Sequence, residues 1–195
     1  MKVFNFIISN FLIFFLFLSQ AFSGEKGKDF EIEGFKIGMI LSEKLDPSEI
    51  NKGKNKNFYN QKYIKVIEFN KSDSSKFKTY DWIQFAFKKK DKKGKIIGID
   101  GIKDYPDSIA DCFAEKDKIV NNIKNSFKGI SYTDDAGTKE LQNKQGTSTT
   151  YWIIFKSKVT IYVSCYNYDS DKSSYTDALR IGVANRYFEK YAFKK

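Results

Sequence analysis

Cys112 and Cys165 are the two cysteines of a 195-residue chain, 53 positions apart, and they restrict its fold more than any other feature. Two cysteines allow a single intramolecular pairing. Cys112 sits among Ile109, Phe113, Ile119, Val120, Ile123 and Phe127, which recur at helical spacing. Cys165 shares strand parity with Val159, Ile161 and Val163. Both thiols therefore face an interior, and a bridge between them requires that helix to lie on the sheet. The expected fold is α+β, an antiparallel sheet covered by helices on one face.

The N-terminus says that such a bridge can form. Lys2 is the one charge before Glu25, and the stretch from Val3 to Leu18 is predominantly apolar, followed by Ser19-Gln20-Ala21-Phe22-Ser23. A short positive start, an apolar run below the roughly 20 residues of a spanning helix, and small residues at the end describe a signal peptide over 1–23, cleaved before Gly24. Export to a periplasm or beyond the cell puts both thiols in an oxidising compartment. Residues 24–195 then form a single α+β domain, with no transmembrane segment left after cleavage.

Composition narrows the chemistry. The chain has no His, which removes Ser-His-Asp and Cys-His nucleophile systems and every His-ligated metal or haem site. No cofactor and no metal site are expected. The net charge of +10 rests almost wholly on Lys, with Arg at only 180 and 186. Lys-for-Arg usage of this kind fills solvated surface and gives no reason to expect specific nucleic-acid recognition.

Local signals organise the chain. Alternation at Phe30-Glu31-Ile32-Glu33 leads into Gly34-Phe35-Lys36-Ile37-Gly38-Met39 and a helical stretch through Leu45. Asp46-Pro47-Ser48-Glu49 restarts a short helix to Asn51 with capping-box chemistry. Lys52 to Gln61 is expected as a loop. Strands follow at Tyr63–Phe69, Trp82–Lys88 and Lys95–Ile102, the last two joined by the turn Asp91-Lys92-Lys93-Gly94. Asp107 or Ser108 caps the cysteine-bearing helix and Gly129 ends it. Ile130 to Ser148 is expected as a loop, then strands at Tyr151–Phe155, Val159–Tyr166 and Leu179–Ala184, and a terminal helix from Asn185 to Phe193. Trp82-Ile83-Gln84-Phe85 and Trp152-Ile153-Ile154-Phe155 share a pattern. They read either as a duplicated helix-then-sheet unit over 30–104 and 105–195 or, more simply, as two unrelated aromatic strands.

Ile37-Gly38-Met39 opening a helix ahead of an antiparallel sheet is similar to the fold shared by β-lactamase-inhibitor protein and small outer-membrane assembly lipoproteins. The lipoprotein branch needs an N-terminal Cys that this chain lacks. A second set of strings resembles a group of short, uncharacterised secreted proteins of low-GC marine bacteria. It comprises Glu31-Ile32-Glu33-Gly34, Tyr80-Asp81-Trp82-Ile83-Gln84-Phe85, Asp111-Cys112, Lys116-Asp117-Lys118-Ile119-Val120, Ser164-Cys165-Tyr166 and Leu179-Arg180-Ile181. That resemblance implies export and this fold, and carries over no catalytic residue.

Four constellations remain as candidates for chemistry. Lys88, Lys89, Lys90, Lys92, Lys93 and Lys95 crowd one hairpin tip, a candidate anion site or a guard against edge-to-edge strand pairing. Tyr162, Tyr166 and Tyr168 share one strand face, a candidate aromatic surface or a set of cross-strand pairs under the N-terminal segment. Asp169 to Asp177 spaces oxygens like a calcium loop, yet Ser174 and Arg180 occupy the positions that need Gly and Glu. Asp134-Asp135 and Asp104 with Asp107 are the remaining acid pairs. The expected function is a non-catalytic binding or interaction module of the cell envelope, with an envelope protein or an anionic or glycan surface as partner. The alternative is a small carboxylate-dependent glycan hydrolase, which needs two acids converging across a cleft.

Overall fold

The computed structural model describes residues 27–192 and Lys194. The expected signal peptide at 1–23, its expected cleavage before Gly24 and the expected helix end at Phe193 lie outside the described residues. Eight strands form one antiparallel sheet: β1 (Lys54–Lys56), β2 (Ile64–Asn70), β3 (Trp82–Lys88), β4 (Ile96–Asp104), β5 (Tyr132–Glu140), β6 (Gly146–Phe155), β7 (Val159–Tyr168) and β8 (Ala178–Asn185). Their spatial order is β1-β2-β3-β4-β8-β7-β6-β5. Among the described residues, three α-helices accompany them: α1 (Pro47–Ile50), α2 (Ile109–Ser126) and α3 (Arg186–Ala192). The strands make two meanders that meet where β4 pairs with β8, and α2 connects one meander to the other.

The first face of the sheet carries the main core. Ile83, Phe85 and Phe87 of β3, Val159, Ile161 and Val163 of β7, and Leu179, Ile181 and Val183 of β8 are all buried there. Strand parity places them together, and burying each such side chain is worth roughly 1.5–3 kcal/mol. The N-terminal segment covers part of this face through Ile32, Phe35, Leu41 and Leu45, with the Phe35 and Phe85 rings 4.9 Å apart edge-on. Helix α2 covers β7 and β8 with Cys112, Val120 and Ile123. Ser108 caps it, its hydroxyl accepting from the Asp111 N–H at 3.3 Å, and Gly129 follows it at φ 81°. Cys112 and Cys165 form the expected disulfide, fully buried, with Cα atoms 6.0 Å apart.

Four local expectations are corrected. The stretch before Leu45 is two isolated bridges and a single 3-10 turn at Leu41–Glu43, because Gly34 and Gly38 adopt positive φ and interrupt helical winding. The Lys52–Gln61 loop contains the three-residue edge strand β1. The Ile130–Ser148 loop is instead β5 and the start of β6, paired in register from Tyr132↔Phe155 to Glu140↔Thr147. Asp134, Asp135 and Gly137 are poor strand formers, so this pairing comes from the partner strand and not from local preference. Lastly, the helices do not all lie on one face. Phe188 and Ala192 of α3 pack against Ile64, Val66, Ala86 and Ala184 on the opposite face, where small side chains and Gly98 leave room for a ring.

The two Trp-Ile-x-Phe strings both aim Trp at the second face. Yet Trp82 lies one strand from the β4–β8 junction and Trp152 two strands from it, so they do not occupy equivalent places.

Candidate functional site

The second face is built from polar residues inserted into apolar strands. Glu68, Gln84 and Asp100 stand side by side in one transverse row across β2, β3 and β4, and Arg180, Ser164 and Thr150 in the next row across β8, β7 and β6; all but the half-buried Arg180 are buried, and Arg180 is diagonal to Asp100. Lys56 pairs with Glu68 at 2.7 Å, the Gln84 amide donates to Glu68 at 2.6 Å, and its carbonyl oxygen accepts from Arg180. The Arg180 Nε lies 3.9 Å from Asp100, whose carboxylate also accepts from the Tyr162 hydroxyl. The Thr150 and Ser164 hydroxyls bond each other at 2.8 Å. Two cations and two carboxylates are thus linked through one amide, which is how buried charge avoids its full desolvation cost. Gly182 makes the centre possible, because a Cβ there would strike the Tyr162 ring and the Asp100 carboxylate.

Burial pushes the Asp100 carboxyl up, against the pull of Arg180, and pushes the Tyr162 hydroxyl well above its usual range, with Asp100 adding to the effect. For Arg180, burial works to strip the charge, and Asp100 together with Tyr59, Tyr166 and Tyr162 outweighs it, so the guanidinium is held more firmly than usual. Tyr162 and Arg180 thus hold their protons more firmly than exposed counterparts would.

What lies above the row differs along its length. At one end α3 and the 57–62 segment cover it, with Tyr59 edge-on to Phe188 at 4.9 Å. At the other end, among the described residues, no helix covers Tyr166, Tyr168, Tyr175 or Trp152. Tyr166 and Tyr168 lie nearly parallel with ring centres 6.0 Å apart, Tyr175 joins at 5.4 Å, and the Arg180 guanidinium sits 5.8 Å over Tyr166. Tyr175 is 58 % exposed.

Of the sequence candidates, Tyr166 and Tyr168 form this open shelf, whereas Tyr162 is withdrawn from it by its bond to Asp100. The alternative of tyrosines beneath the N-terminal segment does not hold, because that segment covers the first face. Lys88, Lys89, Lys90, Lys92, Lys93 and Lys95 are exposed at the β3–β4 tip, where Asp91 pins the turn by accepting from the Lys93 and Lys95 N–H groups at 2.9 and 3.0 Å. Asp134 and Asp135 point to opposite faces of β5, and Asp104 accepts from the Trp82 indole at 3.2 Å, so neither acid pair converges on a cleft. In the 169–177 loop, Asp169 accepts from the Asp171 N–H and from Lys172, and Asp177 accepts from the Tyr168 N–H, which holds a turn together. Sequence reading passed over Arg180, Asp100, Gln84 and Glu68. Their signal was a lone polar residue between apolar neighbours, as in Ile83-Gln84-Phe85 and Leu179-Arg180-Ile181.

Comparison of the chain with protein-family models, curated proteins and solved structures finds no match.

Proposed function

We propose that this protein is an exported, non-catalytic binding module of the cell envelope whose partner is another protein, docked on the open half of the second sheet face. The observation that carries this reading is the Tyr166–Tyr168–Tyr175 shelf on the uncovered strand surface, with the Arg180 guanidinium over Tyr166. Tyr, Trp and Arg dominate the energetics of protein interfaces, and side chains already held by a network lose little freedom on docking. A flat aromatic face suits a partner surface better than a small substrate, which would need a concave pocket. The apolar run after Lys2 and the buried disulfide support a periplasmic or extracellular setting. No helix among the described residues is long and apolar enough to cross a membrane.

The test is photo-crosslinking in the native envelope from Tyr168→benzoylphenylalanine, with Asp117→benzoylphenylalanine on α2 as control. A discrete protein adduct from position 168, absent from position 117 and weakened by Tyr175→Ser, is expected. Equal adducts from both positions would overturn the reading. So would no adduct from 168 while the purified protein sediments with cell-wall polysaccharide.

A further inference from the structure

At the end of the second face occupied by α3, three tyrosines form a chain. Tyr187 and Tyr191 have ring centres 4.6 Å apart, and Tyr191 and Tyr63 are 4.9 Å apart. Ammonium groups surround them. Lys88 lies 4.5 Å over Tyr187, Lys62 5.6 Å over Tyr63, Lys190 5.2 Å over Tyr191, and Lys194 within 5.7 Å of both Tyr63 and Tyr191. The Lys89 N–H bonds the Tyr63 carbonyl at 2.8 Å, which ties this collar to the β3–β4 tip. There Lys89, Lys90, Lys92 and Lys93 are exposed and make no ion pair among the described residues. The acids in this region are Asp91, committed to the turn, and Glu189 on α3.

We infer that this tip-and-collar surface binds the anionic headgroup layer of a phospholipid bilayer. Three features favour a bilayer over a soluble polyanion. The charges are Lys ammonium groups, point charges without the planar fork that reads single phosphates bidentately, and so suit a diffuse anionic plane. Each collar ammonium rides on a tyrosine ring, and that pairing of amphipathic ring with flexible cation is the one that settles at a headgroup interface. The lysines also crowd a projecting hairpin, which meets a plane readily, whereas a polyanionic strand would be tracked by a groove. This surface lies apart from the Tyr166–Tyr168–Tyr175 shelf, so membrane binding and protein docking can occur together.

The experiment is co-sedimentation of the mature protein with vesicles of phosphatidylglycerol mixed into phosphatidylcholine, against pure phosphatidylcholine vesicles and against heparin. Binding to the anionic vesicles that weakens as salt rises is expected. The combined variant Lys89→Gln, Lys90→Gln, Lys92→Gln, Lys93→Gln should lose affinity by on the order of a thousandfold. A control variant with the same charge removed elsewhere, Lys118→Gln, Lys139→Gln, Lys144→Gln, Lys172→Gln, should keep it. The inference is overturned by equal losses in the two variants, by absence of vesicle binding at low salt, by equal binding to neutral vesicles, or by a preference for heparin. None of these results bears on crosslinking from position 168.

Discussion

Burial divides the tyrosines into two populations. Desolvation, with Glu33 next, pushes Tyr80 up to about 12, and desolvation, with Tyr166 next, does the same to Tyr168. Tyr59 and Tyr162 are also raised, chiefly by burial. The folded chain keeps these protons above pH ~10, where an unfolded tyrosine loses its own. Their contribution to stability is therefore intact below pH ~10 and disappears as pH rises through about 12. At pH ~11 the native protein should show phenolate absorbance from fewer than its twelve tyrosines, and urea at the same pH should release the rest. Simultaneous titration of all twelve near the ordinary value would contradict the burial of these four side chains.

At the scale of elements, the β3–β4 hairpin holds together against the repulsion of its own lysines. Asp91 is the reason, since its two carboxylate oxygens each accept a backbone N–H, and those bonds hold its carboxyl below the usual range. Asp91→Ala should speed amide exchange at Lys93 and Lys95 by about tenfold, the loss of a modest hydrogen bond. Asp91→Asn, with one acceptor oxygen, should fall between. Because the folded value is depressed, the pinned turn is intact above the ordinary carboxyl range and should loosen as pH falls through the lowered value. Exchange unchanged in both variants would show that the turn closes without the cap. Strand β5 makes the contrasting case. Its Asp135 carboxylate accepts from the Ala136 N–H at 2.8 Å, occupying a donor on an edge strand that could otherwise recruit another strand.

The molecule as a whole is closed by one covalent link between its connecting helix and its second meander. The Cys112–Cys165 bridge shuts a loop of 53 residues, for which the chain-entropy account gives roughly 4 kcal/mol. Intact-mass measurement of exported protein under non-reducing conditions should give a chain starting near Gly24 and lighter by two hydrogens. The variant Cys112→Ala, Cys165→Ala should lose stability of that order in urea unfolding. Two alkylatable thiols in the exported protein, or a chain that still starts at Met1, would contradict this.

The cysteine pairing, the cap and length of α2, the strand spans at 82–88 and 159–166 and the Asp91 turn were all legible in the sequence. Each rests on short-range physics: residue period, a capping hydroxyl, a turn carboxylate, or the lack of any other thiol to pair with. Other features were decided only by tertiary structure. β5 pairs because β6 offers a complementary edge, α3 crosses to the second face because Ala86, Gly98 and Ala184 leave space for Phe188, and Tyr162 leaves the aromatic shelf because Asp100 stands within reach past Gly182. Glu68, Gln84, Asp100 and Arg180 are scattered across four strands, and a row of buried charge exists only once strand register brings its members side by side. Periodicity tells a strand which way each side chain points. It cannot tell that strand which neighbours it will have, and the electrostatics of this face belong to the neighbours.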